Sequence, residues 1–264
     1  MKAHTRNLPL VIVLVAVLAL LCHGPIEQYA HYHEFADQTI WMGMPHATDV
    51  LSNLGFALVA MLGASFLVEK YRHGHACPGF LAFSGFVLSL FLTALGSTYY
   101  HLAPDDARLL WDRLPIALAC CSLLAAVRAE NLPGMDARRA LTEFGLLLMA
   151  GLMSVIWWQH SGDLRPYLLL QGLTIILIPL WQSIYGAAKP ERLAYAMAMI
   201  LYIFAKITES QDAAILAHLH IISGHSLKHI LAALAAGVIV FSFKQSRNTR
   251  HAELIRLQKI EMPG

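Results

Sequence analysis

The sequence predicts an all-α membrane protein, a helix bundle that crosses the bilayer several times. Of its 264 residues, 57% are hydrophobic and only 14% are charged, whereas soluble domains carry roughly 25% charged residues. The apolar residues also form runs as long as the hydrocarbon core is thick. No patch of basic residues is interleaved with aromatic ones, so we expect no nucleic-acid partner.

The apolar runs divide the chain into eight segments. The first, LPLVIVLVAVLALLC, resembles the hydrophobic part of a signal peptide. Because the HGPIEQ that follows lacks a small-x-small cleavage site, an uncleaved anchor helix is favoured. The segment around Lys206 is the shortest of the later ones and predicts a tilted or partly buried helix. The eight segments are 8–22, 47–68, 79–100, 112–128, 141–158, 166–187, 193–208 and 221–243.

The basic residues indicate how these segments are oriented. With the N-terminus on the inner side, 14 of the 19 Lys and Arg residues fall on inner segments, and only Arg108 and Arg165 fall on outer loops. Arg113, Lys206 and Lys228 lie within spans or at their ends. Since Lys and Arg are enriched in cytoplasmic loops, both termini are predicted to be cytoplasmic, including the basic tail at 244–264.

Polar residues within the spans gather near the outer face. An ionisable group at membrane depth is costly unless it is paired or hydrated, which makes it a candidate functional residue. Ser97 and His101 are four residues apart at the end of the third segment, and so are His225 and His229 early in the last. Each pair therefore shares a helix face. The opposite directions of the two segments bring both pairs to the outer side, where Asp112 starts the fourth segment.

Three imidazoles from two helices can form a zinc site. The spacing of His225 and His229 lets both rings reach one ion, as in HExxH helices, and His101 supplies a third ligand. Zinc with three protein ligands keeps a position open for water, which is the catalytic arrangement. Because zinc–nitrogen bonds are about 2 Å long, the His101 ring must lie within about 8 Å of the other two.

Each of these residues taken singly has a structural alternative. A buried histidine commonly donates a hydrogen bond to a carbonyl, a serine packs helices or bonds the backbone, and Asp112 with Arg113 can form an interfacial ion pair. Their common depth favours a site. The remaining outer-side histidines are predicted to be surface or loop residues: His23, His31, His33, His46, His160, His218 and His220.

Three charged residues lie close together at the predicted outer end of the seventh segment. Lys206, Glu209 and Asp212 are spaced by three residues and lie roughly on one helix face. The simpler interpretation is a lysine that extends to the interface beside loop acids. The alternative is an ion-paired wall of the pocket or a contact to a lipid head group.

The order and spacing of the polar residues resemble the alkaline ceramidase family. The matching features are SxxxH at Ser97–His101, Asp112 eleven residues later, and HxxxH at His225–His229. This family belongs to the CREST group of seven-span membrane hydrolases, which includes the adiponectin-type receptors. DVLSNLGFALVA at 49–60 is similar to the family's first core span, and the resemblance covers residues 33–243.

The resemblance implies a fold, an activity and a cofactor. The last seven segments would form a seven-helix core, with residues 1–32 as an added N-terminal anchor and the start of an outer loop. The substrate would be a ceramide-like membrane lipid, cleaved at its amide bond to a sphingoid base and a fatty acid. Zinc would be held by His101, His225 and His229, with Ser97 and Asp112 at the reaction centre.

Simple chemistry suggests roles for these two residues. Asp112 is the predicted general base that activates water and passes the proton to the leaving amine. The Ser97 hydroxyl is the predicted donor to the developing oxyanion. A Ser–His nucleophile pair is disfavoured, because a histidine bound to metal does not act as a base.

One stretch departs from the family pattern. Eukaryotic relatives carry a calcium site before the first core span, in an Asp-Trp-x-Glu-x-Asn run that IEQYAHYHEFADQTIWMGMPHATD lacks. His46 lies about where a ligating Glu is expected, and calcium prefers oxygen ligands. Zinc is therefore the expected cofactor, and calcium is a less favoured second one. The acidic residues of this stretch are Glu27, Glu34, Asp37 and Asp49.

Two other functions remain open from the sequence. The main alternative is a seven-span receptor or sensor in which the same zinc centre is structural. A haem-binding electron carrier is less favoured, because two histidines on one helix suit zinc better than axial ligation of haem.

Overall fold

The all-α class predicted from the sequence is confirmed. The structure is a computed structural model that describes residues 3–74 and 77–261, with side chains for residues 7–74 and 77–244. Two short strands, β1 (Ile40–Trp41) and β2 (Met44–Pro45), pair antiparallel ahead of the second helix. The helices are α1 (Ala3–His23), α2 (Ala47–Ser52), α3 (Leu54–Arg72), α4 (Phe80–Leu102), α5 (Asp106–Asn131), α6 (Ala137–Ser161), α7 (Arg165–Ile184), α8 (Lys189–Ser210), α9 (Asp212–Leu219) and α10 (Gly224–Glu261).

Seven stretches of the described residues are long and apolar enough to cross a membrane, which confirms the expected seven-helix core. The segment predicted at 193–208 is the longer helix α8, which has 22 residues. Helix α1 carries a shorter apolar stretch, Asn7–His23. The basic side chains of the predicted tail after Lys244 lie outside the described residues. The seven stretches are Ala47–Arg72, Phe80–Leu102, Asp106–Asn131, Ala137–Ser161, Arg165–Ile184, Lys189–Ser210 and Gly224–Lys244.

The N-terminal helix packs against α7 and is tied to it by one carboxylate. Asp163 accepts hydrogen bonds from the Ile26 backbone N–H and from Trp157 Nε1, both at 3.1 Å. Arg165 pairs with Asp163 at 2.9 Å and donates to the Leu20 carbonyl. Burial alone would raise the pKa of Asp163, but these hydrogen bonds, led by that from Arg165, hold it below its usual range. The added helix is thus fixed at its C-terminal end.

Helix α5 begins earlier than the hydropathy pattern predicts. The Asp105 side chain accepts a hydrogen bond from the Arg108 N–H at 2.7 Å and caps the helix, so α5 begins at Asp106. An N-terminal aspartate is a strong start signal that apolar periodicity does not register. Asp112 therefore lies almost two turns inside α5, whereas the sequence analysis placed it at the helix start.

Helices α4 and α5 approach each other closely at Gly96. A Cβ added at Gly96 would overlap the carbonyl oxygen of Trp111. Pro115, four residues further along α5, has no N–H to donate to that carbonyl. Small residues allow transmembrane helices to pack with their backbones in contact. This contact brings the next residues of the two helices, Ser97 and Asp112, to the same interface.

Candidate metal centre

The three predicted histidines meet at one end of the bundle. His101 lies in the last turn of α4, whereas His225 and His229 lie in the first two turns of α10. Their ring centroids are 4.8 Å apart for His101 and His225, 5.0 Å for His101 and His229, and 4.8 Å for His225 and His229. The distances satisfy the 8 Å condition set by zinc–nitrogen bond lengths.

The donor set fits a transition metal. All three rings are buried, and each offers one nitrogen within 4.8 Å of the others. His101 Nδ1 is buried and has no hydrogen-bond partner, which is costly unless a ligand satisfies it. Imidazole nitrogens suit zinc and its neighbours, whereas calcium and magnesium prefer oxygen. Within 7–74 and 77–244, this is the only group of three or more His, Cys, Asp or Glu side chains with that proximity.

The ring of His229 is oriented by the junction between α2 and α3. Its Nδ1 lies 2.9 Å from Ser52 Oγ and 3.2 Å from the carbonyl oxygen of Asp49. Because a carbonyl only accepts, Nδ1 carries the proton and Nε2 is left for a ligand. Ser52 belongs to the segment that resembles the family's first span, but the sequence alone gave it no role.

A Ser52→Ala variant is expected to bind zinc about 10-fold more weakly. Loss of a hydrogen bond that orients a ligating histidine costs 10- to 100-fold in metal affinity, and the Asp49 carbonyl remains to hold the ring. Competition with a chelator measures the effect. Ser65→Ala is the matched control, since Ser65 lies on α3 and bonds only the Leu62 carbonyl. Equal zinc affinity in both variants would contradict the orienting role.

A buried carboxylate joins α2 to the start of α10. Asp49 Oδ1 accepts hydrogen bonds from Ser223 Oγ at 2.8 Å and from Ser226 Oγ at 2.5 Å. Ser223 also caps α10 by accepting from the Ser226 N–H at 2.9 Å. His225 lies between these two serines in the sequence, so the first turn of α10 is held in place on both sides of that ligand.

In the acidic stretch considered for calcium, the Asp37 carboxylate already accepts hydrogen bonds from the protein itself. Asp37 Oδ2 accepts from the backbone N–H groups of Thr48 and Asp49, and Asp37 Oδ1 accepts from Thr39. Burial alone would raise the pKa of Asp37, but these hydrogen bonds hold it below its ordinary value. His46 Nδ1 contacts the Asp37 carbonyl at 2.5 Å, so both the carboxylate and the carbonyl of Asp37 are engaged.

Two histidines that we predicted to be surface or loop residues are half-buried. His46 holds the 37–46 loop, as described above. His33 Nδ1 lies 2.9 Å from the hydroxyl of Tyr100, the residue before His101. Both are loop residues, as predicted, and they are half-buried because the loop between α1 and α2 folds back over the end of the bundle that carries the three histidines, a path that apolar patterning does not reveal.

Phe35 packs against two of the three histidines. Its ring centroid lies 4.5 Å from those of His101 and His225, and the side chain is buried. A ring at this position excludes water from one side of the site. A single phenylalanine in a polar loop has no periodic pattern, and the sequence analysis therefore missed it.

Ser97 and Asp112 face each other across the α4–α5 interface. Both are buried, and Ser97 Oγ makes no hydrogen bond of normal geometry. The Asp112 carboxyl interacts electrostatically with Lys228 as well as with Ser97. Asp112 makes no ion pair with Arg113, which instead stacks over Trp158 with its guanidinium carbon 4.0 Å from the ring centroid. The interfacial ion-pair alternative is therefore wrong.

The charged residues at the end of α8 contact the histidine site. Glu209 pairs with Lys206 and, at 3.2 Å, with Lys228, whose Nζ lies 2.7 Å from His225 Nε2. Asp212 accepts from the His225 backbone N–H at 2.8 Å. The simpler interpretation, an interfacial lysine beside loop acids, is therefore wrong for Glu209 and Asp212. Both support the α10 turn that carries His225.

Comparison of the chain with protein-family models and with curated proteins finds no match. The family resemblance therefore rests on the polar residues and their spacing. What the site can do chemically has to be argued from its geometry.

Proposed function

We propose that this protein is a zinc-dependent hydrolase that cleaves the amide bond of ceramide-like lipids into a sphingoid base and a fatty acid. The observation that carries the proposal is the meeting of His101, His225 and His229. Ser97 precedes His101 by about one helical turn, and Asp112 interacts with Ser97 and with Lys228. The site lies at one end of a bundle whose helices are long enough to span a membrane. A buried hydroxyl and a buried carboxyl close to a three-histidine site suit catalysis better than a purely structural zinc.

Each residue of the site has a separate role in the proposed reaction. Zn²⁺ bound by the three histidines would polarise the acyl carbonyl and make a water molecule more acidic. Asp112 takes the proton of the attacking water and delivers it to the leaving amine. The Ser97 hydroxyl, which is buried beside the Asp112 carboxyl, donates a hydrogen bond to the oxygen that gains negative charge.

An apolar groove offers a place for the lipid chain. It has a volume of about 270 Å³ and runs between α4 and α5, where Leu92, Leu95 and Leu118 form part of its wall. Gly96 and Trp111 also line it, and these residues directly precede Ser97 and Asp112 in the sequence. In the proposed function the acyl chain lies in this groove and its carbonyl end reaches the site.

The proposal is tested by metal analysis of the purified protein together with hydrolysis of a fluorescent ceramide. We expect one zinc ion per chain and release of the labelled fatty acid. Stoichiometric zinc without turnover of any N-acyl lipid would favour the receptor or sensor alternative. A protein that binds no zinc would contradict both functions.

An Asp112→Asn variant is expected to hydrolyse the substrate at least about 100-fold more slowly with its zinc content unchanged. General acid–base catalysis contributes 10²- to 10⁴-fold, and Asn keeps the shape of the side chain but accepts no proton. Asp106→Asn is the control, because this side chain lies on the same helix and is exposed. Normal turnover by the Asp112 variant would exclude it as the base.

A further inference from the structure

A lysine lies at the wall of the histidine site and has no part in the mechanism above. Lys228 is on α10, between the two histidines of that helix, and its side chain is only 18% exposed. Its Nζ lies 2.7 Å from His225 Nε2 and 3.2 Å from Glu209 Oε1. A buried ammonium inside a membrane protein is costly, so a functional role is the default expectation.

The partners of Lys228 neutralise it only in part. Its carboxylate partner, Glu209, also pairs with Lys206, whose side chain is 55% exposed. One negative charge is thus shared by two ammonium groups. Asp112 is the other acid that interacts with Lys228, so these four side chains sum to zero. A metal cation held by three neutral imidazoles would add positive charge next to Lys228.

We propose that Lys228 binds an anionic oxygen of a lipid at this site, either a carboxylate or a phosphate. The inference rests on the proposed function, since it names the chemical class that the same pocket accepts. A cation among the histidines would repel the ammonium toward Glu209 at the edge of the site. From there it can donate a charge-assisted hydrogen bond to a bound anion. The carboxylate would come from an acyl chain and the phosphate from a head group.

Binding of single-chain amphiphiles to the purified, zinc-loaded protein tests this. We expect wild type to bind laurate or dodecyl phosphate at least about 10-fold more tightly than dodecanol, which has the same chain without the charge. Whichever of the two anions binds more tightly shows whether the anionic oxygen comes from an acyl-chain carboxylate or from a head-group phosphate. Lys228→Met should bind the anion about 10-fold more weakly and bind dodecanol with unchanged affinity. Lys228→Arg should keep the preference for the anion over dodecanol.

Two further variants separate a binding role from a structural one. Glu209→Gln removes the charge that compensates Lys228 and should tighten anion binding, a direction that loss of structure would not produce. Arg108→Met removes a cation at the start of α5 whose partners are Asp105 and Tyr99, and it should behave as wild type. Thermal unfolding and zinc content show whether Lys228→Met is folded. If Lys228→Met does not fold, the Glu209→Gln variant decides between the two roles: tighter anion binding supports the binding role of Lys228, and weaker or equal binding contradicts it.

The inference is overturned if wild type does not distinguish the anions from dodecanol, or if folded Lys228→Met keeps the preference. Its failure is separable from that of the proposed function because binding is measured without turnover. Ceramide hydrolysis with no anion preference would reject only the role of Lys228. Anion preference without hydrolysis of any lipid amide would reject only the proposed reaction.

Discussion

Replacing His225 with alanine is expected to lower the affinity for zinc by more than about 100-fold and to abolish hydrolysis. Loss of a supporting hydrogen bond already costs up to 100-fold, and here a ligand itself is removed. The remaining rings of His101 and His229 are 5.0 Å apart and would supply only two nitrogens. Chelator competition and metal analysis of the purified variant measure the loss.

His218→Ala is the matched control for this prediction. His218 lies on α9 near the same end of the bundle, but its ring is exposed and contacts only the Ala214 carbonyl. We expect zinc content and turnover of this variant to equal those of wild type. If His225→Ala still held one zinc per chain with wild-type affinity, the three-histidine centre would be refuted, and the proposed function with it.

The histidine site was predictable because helical geometry constrains it. Residues four apart share a face, so His225 and His229 had to point the same way. The predicted alternation of the spans gave the third and the last segments opposite directions, which placed His101 at the same end as the other two histidines. These are properties of helix periodicity and topology, and neither requires knowledge of how the loops fold.

The residues that the sequence did not reveal act through tertiary contacts. Phe35 reaches the histidines because the N-terminal loop folds over the bundle, and Ser52 reaches His229 from a helix that is remote in sequence. Lys228 was recognised only as a charge within a span. Its contact with Glu209 depends on how α8 and α10 pack, and a single sequence carries no pattern for that contact.

The hydropathy pattern predicted a helix boundary correctly only where apolar residues continue to the end of the helix. Helix α5 starts before its apolar stretch because Asp105 caps it, and the predicted span at 47–68 is interrupted at Asn53. The Asn53 amide donates to the Asp49 carbonyl, one of the acceptors beside His229. Polar side chains thus set the N-terminal boundaries of α3 and α5.

A Gly96→Ala variant is expected to lower the free energy of unfolding by about 3 kcal/mol, the upper end of the usual cost of an overpacked interior. The added methyl group would overlap the Trp111 carbonyl oxygen, a backbone atom that cannot rotate away as a side chain would. Relief requires α5 to shift away from α4. Asp112 follows Trp111 directly, so this shift also separates its carboxyl from Ser97, and hydrolysis should fall with stability.

Gly145→Ala separates this packing effect from the general effect of alanine in a helix. Gly145 lies in the interior of α6, and a Cβ there meets no atom within 4 Å. Alanine favours a helix over glycine by about 1 kcal/mol, so the melting temperature of this variant in detergent should stay the same or rise. Replacement of glycine by alanine is therefore expected to destabilise the protein at position 96 but not at position 145. If Gly96→Ala melted at or above the temperature of Gly145→Ala, the backbone contact that positions Asp112 beside Ser97 would be refuted.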